Sequence, residues 1–301
     1  MGALLLDSAS LYYRSYFALP ESITGPGGQP VNAVRGFLDT LATLARERAP
    51  ATVVACWDDD WRPQWRVDLV PGYKTHRLAG EGDTAEETPD TLAPQVGIIA
   101  QLLDVAGIPR IGAVDCEADD VIATLALRSR TPVDIASGDR DLMQLVSERV
   151  TLLYTGGSSA SRGGRPYAAM DPTIVRERYG VDPRLYADLS ILRGDPSDGL
   201  PGVRGIGEKT AAALVTAFGG IDGILDAARD PSSPKPMTAA LRERLLASEG
   251  VLHDLDRVVR LAPRPGVPAL PRMTLDPGAG LAAAREHGVE AAMQRLMEAL
   301  N

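Results

Sequence analysis

The chain has 301 residues, 45% of them hydrophobic and 24% charged, which is typical of a globular protein with a sizeable core. No apolar run approaches the roughly 18 residues of a membrane span, and the N-terminus lacks the basic start of a signal peptide. Three scattered histidines, and two cysteines (Cys56 and Cys116) without metal-ligand spacing, argue against a Cys or His metal site and predict a reduced, cytoplasmic protein.

The net charge of −9 argues at first against a nucleic-acid partner. Nine of the 40 acidic residues, however, are candidates for a single pocket, as argued in the paragraphs that follow. The remaining 31 acidic residues balance the 31 basic residues. A surface that is neutral outside such a pocket can carry local basic patches. The overall charge therefore leaves nucleic-acid binding open.

Short apolar runs that end in acidic residues predict the parallel strands of an α/β sheet. Ala3–Leu6 leads into Asp7, and Thr52–Cys56 is followed by Asp58 to Asp60. Ligands of open α/β sheets bind at the carboxyl ends of the strands. A single Asp at such a place is more often a helix N-cap, so the argument depends on the repetition of the pattern.

The stretch from Trp65 to Leu92 differs in character from the rest. It is too polar for a core element and too long for a simple connection, so it predicts a lid or arch. Its basic residues with an interleaved aromatic, Tyr73, suit a phosphate backbone and an unpaired base. From composition alone, a solvated loop explains the stretch equally well.

Two further acidic clusters come next along the chain. Glu117, Asp119 and Asp120 open a predicted helix, and Asp139 and Asp141 follow a strand predicted at 132–136. Acidic residues in a first helical turn also serve as caps. The first and last members of the helical cluster share one face, where mutual repulsion disfavours them unless a cation lies between.

A Gly/Ser-rich stretch at 154–166 ends the first α/β unit, and the rest of the chain is predicted to be mostly helical. Within it, Asp195 and Asp198 lie in a Gly/Pro/Ser turn whose backbone can direct carboxylates outward. Closely spaced glycines then precede a helix at 211–218, an arrangement that lets backbone N–H groups approach a phosphate. An ordinary loop and helix start is the alternative.

These carboxylates would form an all-oxygen pocket if they converged. Such a ligand set suits Mg²⁺ or Mn²⁺, and two such ions can assist phosphodiester hydrolysis. Clustered carboxylates without a metal would raise one another's pKa values, which disfavours a purely structural role. Calcium binding for stability is the second interpretation, although it normally uses one contiguous loop.

Seven motifs occur in a fixed order along nearly the whole chain. They are L-L-L-D-S at 4–8, Y-R at 13–14, G-Q-P-V-N-A-V-R-G-F at 28–37, R-x6-Y-K-x-x-R at 66–77, E-A-D-D at 117–120, S-G-D-R-D-L-M-Q-L at 137–145 and G-D-P-S-D-G-L-P-G-V-R-G-I-G-E-K-T at 194–210. Together they resemble the 5′-nuclease (flap endonuclease) superfamily. The chain is most similar to stand-alone bacterial relatives of the 5′–3′ exonuclease domain of DNA polymerase I.

The resemblance implies an α/β fold with a central, mostly parallel sheet flanked by helices, a PIN-like nuclease core. This core would span about residues 1–170 and carry a helical arch at about 66–93. An all-helical region at 171–301 would pack on the core, with a helix-hairpin-helix element at about 195–219 that grips duplex DNA.

The resemblance also implies roles for individual residues. The metal-site carboxylates, which bind two or more Mg²⁺ or Mn²⁺ ions, would be Asp7, Asp58, Glu117, Asp119, Asp120, Asp139, Asp141, Asp195 and Asp198. Lys74 and Arg77 would contact the scissile phosphate and act in catalysis with Asp7 and Asp58, while Tyr73 would stack on an unpaired base. The other DNA-binding residues would be Arg14, Arg66, Gly202, Arg204, Gly205, Gly207 and Lys209, with a K⁺ ion on the hairpin carbonyls.

The implied activity is divalent-metal-dependent hydrolysis of DNA phosphodiester bonds at 5′ flaps and 5′ ends, in replication and repair. The expected partners are DNA junctions and replication or repair proteins, and the expected state is a nucleoid-associated monomer that acts without a polymerase domain. A DNA-junction binding protein with weak or no cleavage is the main alternative, and a related phosphatase-like or ribonuclease fold is another.

Two positions depart from the family pattern, and a third leaves a choice among adjacent residues. Gly199 stands where Asn is usual, and Arg35 replaces an aromatic residue. Asp58 is chosen from the three adjacent aspartates because it most closely follows the strand.

Overall fold

The computed structural model describes residues 2–80, 84–157 and 166–301. Met1, residues 81–83 of the predicted arch and residues 158–165 of the Gly/Ser-rich stretch lie outside the described residues.

The described strands form one sheet in the order β3-β2-β1-β4-β5-β6. The strands are β1 (Ala3–Asp7), β2 (Thr52–Cys56), β3 (Arg110–Ile111), β4 (Val133–Ser137), β5 (Val150–Tyr154) and β6 (Ala168–Met170). All neighbouring pairs are parallel except β5 and β6. The prediction of a mostly parallel sheet is therefore confirmed.

Helices cover the sheet and build the region that follows it. In the first half of the chain they are α1 (Ser8–Ala18), α2 (Asn32–Arg48), α3 (Gln64–Leu69), α4 (Ala93–Val105) and α5 (Ala118–Arg128). In the second half they are α6 (Pro172–Tyr179), α7 (Tyr186–Arg193), α8 (Glu208–Phe218), α9 (Ile221–Arg229), α10 (Ala239–Ala247), α11 (Glu249–Val259), α12 (Pro277–Glu286) and α13 (Glu290–Leu300).

The central strands are buried on both faces, which explains their unbroken apolar sequence. Because successive side chains alternate across a strand, Leu4 and Leu6 join one hydrophobic core while Leu5 joins the other. The first core lies against α1, α2, α4 and α13, and the second lies against α5 and the helices from α6 to α11. Burial of each such leucine contributes about 1.5–3 kcal/mol before conformational entropy is counted.

The strand order places the functional edge of the sheet. Strand β1 lies in the middle and pairs with β2 on one side and β4 on the other, so the chain winds away from it in both directions. The carboxyl ends of these three strands border the crevice where ligands bind in open α/β sheets. Asp7 ends β1, and Asp58 and Asp139 each follow their strand by two residues.

Two predicted elements differ in the structure. Within the predicted arch, the described residues form the short helix α3, a 3₁₀ turn at Thr75–Arg77 and an antiparallel bridge between Leu78 and Glu86, because turns and Pro/Gly residues interrupt the segment. The final helices α12 and α13 pack against α2 and α4 in the first core rather than with the other C-terminal helices. The sequence boundary at 170 therefore does not coincide with the boundary between the two cores.

No single helix among the described residues is long and apolar enough to cross a membrane. The pair α8 and α9, bent by 83°, meets the length and composition criteria only when the two helices are taken together.

Candidate active site

A cavity of about 250 Å³ lies at the carboxyl ends of β1, β2 and β4. Five of the predicted carboxylates line it: Asp7, Asp58, Glu117, Asp119 and Asp139. Two cationic side chains, Lys74 and Arg77, line it as well. The sheet edge thus brings together acidic and basic groups from five separate parts of the sequence, all of them among the predicted site residues.

Local backbone structure fixes the orientation of the carboxylates. Asp7 caps α1 by accepting a hydrogen bond from the backbone N–H of Ser10 at 3.1 Å, and its other oxygen accepts one from the Ser137 hydroxyl. Asp58 accepts a 2.8 Å bond from the backbone N–H of Ala118, at the start of α5. Each carboxylate therefore keeps only part of its hydrogen-bonding capacity for a ligand.

Burial makes these groups reluctant to ionise without a cation. It raises the pKa of Asp7 to about 7, and the nearby Asp58 and Asp139 carboxylates add to that shift. Burial likewise raises the pKa of Asp58 to about 6. Burial, then the charges of Asp139 and Asp7, raise the pKa of Asp119 well above its usual value. Such a site gains from a cation that favours the charged carboxylates.

Glu117 anchors the segment that carries the predicted phosphate-binding residues. Its carboxylate accepts a hydrogen bond from the Tyr73 hydroxyl at 2.8 Å and forms a close ion pair with the Lys74 ammonium. Burial alone would lower the pKa of Lys74, but the Glu117 charge raises it well above its usual value. Lys74 is therefore a fixed cation at the wall of the cavity.

The predicted base-stacking role of Tyr73 is not supported by this arrangement. Its side chain is only 4% exposed, and its ring lies beneath the cavity with the hydroxyl held by Glu117. An aromatic residue among basic ones predicts a DNA-contacting surface, whereas the ring of Tyr73 fills the core.

Asp120 and Arg66 form a buried ion pair beneath the cavity, which corrects two sequence predictions. The Arg66 guanidinium donates to the two Asp120 oxygens at 2.7 and 2.9 Å and to Glu117 at 3.3 Å. Asp120 is completely buried, so it faces Arg66 rather than the metal pocket. The cation expected between Glu117 and Asp120 is thus an arginine, and Arg66 is not on a DNA-binding surface.

The remaining predicted carboxylates lie beside the main cavity. Asp141 and Asp198 line a small cleft that shares Glu117 and Asp119 with it. Asp141 accepts a 2.8 Å bond from the Ser190 hydroxyl, and burial raises its pKa to about 7. Asp195 caps its own turn by accepting from the backbone N–H of Ser197 at 2.8 Å.

The segment that carries Lys74 and Arg77 is hydrogen-bonded to the turn that carries Asp198. Arg77 donates to the Asp198 carboxylate at 2.7 Å, and the Lys74 backbone N–H donates to the Asp198 carbonyl at 2.9 Å. Gly199 has a left-handed φ of +70°, and a Cβ there would lie 2.3 Å from the Gly72 carbonyl oxygen. The glycine that departs from the family pattern therefore permits this close backbone contact.

The other departure, Arg35, has a simple structural setting. It is exposed on α2, and its guanidinium lies 3.8 Å from Asp39 one turn later. Solvent accommodates the charge.

The nine predicted carboxylates do not form a single cage. Within residues 2–80, 84–157 and 166–301, no three acidic, His or Cys side chains are grouped so that they would hold an ion by themselves. A ready cage is not required for Mg²⁺, which usually keeps several waters and binds one or two carboxylates plus substrate phosphates. The oxygen-only, buried and mutually repelling donors that line the cavity fit such an ion.

Sequence reasoning missed one acidic side chain in the cavity. Glu86 lines it opposite the sheet and accepts a 3.4 Å hydrogen bond from the Tyr13 hydroxyl. The signal was the acidic content of residues 81–90, which the interpretation as a lid treated as solvent-exposed.

The glycine hairpin before α8 combines buried and exposed residues. Val203 and Ile206 are buried and anchor it to the helical core. The predicted DNA-binding residues Arg204, Gly205, Gly207 and Lys209 are exposed, as are Pro201 and the acidic Glu208. Gly202 instead packs inward, since a Cβ there would lie 2.4 Å from the backbone nitrogen of Gly194. Arg14, the last predicted DNA contact, is half-buried on α1.

Two family models and several curated proteins match this chain. Residues 2–180 match the family model of the 5′–3′ exonuclease N-terminal resolvase-like domain, and residues 181–264 match that of the 5′–3′ exonuclease C-terminal SAM fold. A 5′–3′ exonuclease of Streptomyces coelicolor is 48% identical over 306 residues, covering 99% of both chains. A 5′–3′ exonuclease of Mycobacterium tuberculosis is 46% identical, covering 99% of this chain and 97% of its own.

Two broader matches involve more distant proteins. DNA polymerase I of Mycobacterium bovis is 40% identical over 74% of this chain, which corresponds to 24% of the polymerase. The bacteriophage T5 flap endonuclease, solved as a complex with DNA and metal ions, has the same fold with a TM-score of 0.65. It is 19% identical, and the match covers 100% of this chain and 99% of that one.

The raised carboxylate pKa values predict how metal-free stability depends on pH. Asp7, Asp58 and Asp141 have folded pKa values of about 7, 6 and 7, against about 4 in an unfolded chain. The folded state therefore binds more protons in that window, and stability falls as the pH rises from about 4 to 8. Added Mg²⁺ should restore more stability at about pH 8 than at about pH 5.

Thermal unfolding in EDTA and in Mg²⁺ across this pH range measures the effect. Asp7→Asn should flatten the pH dependence, whereas Glu243→Gln, which removes an exposed carboxylate on α10, should leave it unchanged. Stability in EDTA that rises from pH 5 to 8 would contradict the account.

Substitutions at Asp120 and Asp139 should have opposite effects on stability. Asp120→Asn removes the closer of the two anions that the buried Arg66 guanidinium contacts and should cost about 3–5 kcal/mol of unfolding free energy. Asp139→Asn removes one of several repelling carboxylates and should leave stability equal or higher in EDTA. Urea unfolding of the two variants distinguishes these roles, and similar losses in both would show that Asp120 belongs to the pocket.

Proposed function

The chain belongs to the 5′–3′ exonuclease family, and from this premise we propose that it hydrolyses DNA phosphodiester bonds at 5′ flaps as well as at 5′ ends. The chain is a nuclease, and the proposal concerns the DNA structure on which it acts. The observation that carries it is the cavity in which fixed cations and ionisable carboxylates face one another at the sheet edge.

The cationic side chains are suited to holding a phosphate. Lys74 is fixed by Glu117, and Arg77 is fixed by Asp198, so both charges are oriented before a substrate arrives. We propose that both contact the scissile phosphate or its neighbour. Preorganised charges of this kind stabilise the negative charge that develops on the phosphate during hydrolysis.

The carboxylates are suited to holding Mg²⁺ or Mn²⁺, and we propose two or more ions. The residues that would hold them are Asp7, Asp58, Glu117, Asp119 and Asp139 in the cavity, with Asp141, Asp195 and Asp198 beside it. Such ions would activate water and stabilise the negative charge on the attacking and leaving oxygens. The protein's own contribution is to fix the donors and to exclude bulk water from the buried side of the cavity.

The hairpin before α8 is proposed to bind the duplex beside the cleavage point. Its exposed glycine backbone and the cations Arg204 and Lys209 offer donors to phosphate oxygens, while its carbonyls would hold a K⁺ ion. The turn that holds Asp195 and Asp198 leads directly into this hairpin along the chain, so we propose that cleavage takes place next to the bound duplex.

We further propose that the protein works as a cytoplasmic, nucleoid-associated monomer in DNA replication and repair. The support is the composition and the family. Replication or repair proteins are the proposed partners besides DNA.

Cleavage of a labelled 5′-flap duplex and of a duplex with a recessed 5′ end tests the proposed function. With Mg²⁺ or Mn²⁺, the wild type should cut the flap near its junction, and EDTA should stop the reaction. Asp139→Asn should abolish cutting on both substrates while DNA binding persists, because the donor is lost but the cations remain. Tight binding by the wild type without cutting in either metal would favour the junction-binding alternative.

The hairpin makes a separate prediction about salt dependence. Each lost phosphate contact reduces the slope of log K against log salt concentration by about 0.9. Lys209→Gln should therefore weaken binding to flap duplexes of any sequence and lower that slope by about 0.9. Lys235→Gln, which removes an exposed lysine from the loop before α10, is the matched control and should change neither quantity. Equal effects of the two substitutions would exclude a specific role for the hairpin.

A further inference from the structure

Arg264 lies in the Pro-rich connection between α11 and α12 and reaches the underside of the candidate active site. Its backbone N–H donates to the Thr124 hydroxyl at 2.8 Å, and its carbonyl accepts from Arg128 at 2.8 Å. Its side chain donates to Asp120 at 3.2 Å. Both the backbone and the side chain of Arg264 are thus fixed against α5.

Trp65 lies between two arginines at this place. The Arg264 guanidinium is 4.3 Å from the ring centroid, and the Arg66 guanidinium is 4.4 Å from it. Guanidinium groups are attracted to the face of an indole ring at such distances. The indole N–H also donates to the Asp115 carbonyl at 3.1 Å, which fixes the plane of the ring.

These contacts continue to the wall of the cavity. Asp120 shares its carboxylate between Arg264 and Arg66, and Arg66 also donates to Glu117. Glu117 in turn holds the Lys74 ammonium that lines the cavity. An unbroken series of charged contacts therefore joins the C-terminal connection to the proposed phosphate-binding lysine.

Charge neutrality does not require Arg264. The buried anions Asp120 and Glu117 are already matched by the buried cations Arg66 and Lys74. The Arg264 side chain is 29% exposed and adds a third cation to this balanced set. Arg264 therefore contributes orientation rather than charge. It sets the position of the Asp120 carboxylate and of the Trp65 indole against which Arg66 packs.

We infer that Arg264 is a positioning residue for the reaction, which holds Lys74 in line with the scissile phosphate through Asp120, Arg66 and Glu117. The inference depends on the proposed function of Lys74 as a phosphate contact. It assigns to the connection after α11 a role in the rate of cleavage, not in DNA binding.

Single-turnover cleavage of the labelled flap duplex at saturating protein tests this role. Arg264→Gln should lower the rate about tenfold, the scale of couplings carried through packed networks. Binding of the same duplex, measured with Ca²⁺ in place of Mg²⁺, should be unchanged, and Arg264→Lys should restore part of the rate. The matched control is Arg295→Gln, which removes an arginine of α13 that is paired with Asp39 of α2. This substitution should change neither the cleavage rate nor DNA binding.

A double substitution identifies the route of the effect. In a Lys74→Ala protein, Arg264→Gln should cause no further loss of rate, because the lysine that it positions is absent. Equal losses in both backgrounds, a loss of DNA affinity, or no loss in either background would each overturn the inference. A wild type that cuts neither substrate would instead overturn the proposed function.

A spectroscopic measurement separates local positioning from general destabilisation. With Trp57→Phe and Trp61→Phe, Trp65 is the single tryptophan of the chain. Arg264→Gln should then change its emission in the folded protein, because one face of the ring loses its guanidinium. Unchanged emission would show that Arg264 does not hold the ring, and the inference would fail.

Discussion

Repulsion among buried carboxylates is the constraint on which the rest of the structure depends. Three strand ends and the start of α5 bring five of them to one cavity, where burial already disfavours the charged forms. Fixed cations offset part of this cost: Lys74 and Arg77 at the cavity wall and Arg66 below it. The negative charge that these cations leave uncompensated attracts divalent ions and a substrate that brings them.

The same pairings determine the path of the chain around the cavity. The segment after α3 cannot move freely, since Lys74 is tied to Glu117 by its side chain and to the Asp198 turn by its backbone. Gly199 allows that second contact, because a side chain there would collide with the Gly72 carbonyl. Electrostatics and close backbone packing thus combine to place the phosphate-binding charges before DNA arrives.

The sequence predicted the sheet and five of the carboxylates that line the cavity, because acidic residues recur after apolar strands and at a helix start, positions that meet at one edge of an α/β sheet. It was wrong about Asp120, Arg66 and Tyr73, since a motif shows that residues belong together but not which way each side chain faces. Burial decided this: the arginine lies between two acids and the tyrosine fills the core. Glu86 was missed because contacts across 73 residues, here with Tyr13, have no local pattern.

The most direct test of the account is the location of bound metal. Anomalous scattering from a crystal soaked in Mn²⁺ would place each ion relative to the side chains. The account predicts peaks among Asp7, Asp58, Asp119 and Asp139, and none beside the ion pair of Asp120 with Arg66. A peak at Asp120, or none in the cavity at saturating Mn²⁺ with DNA bound, would contradict it.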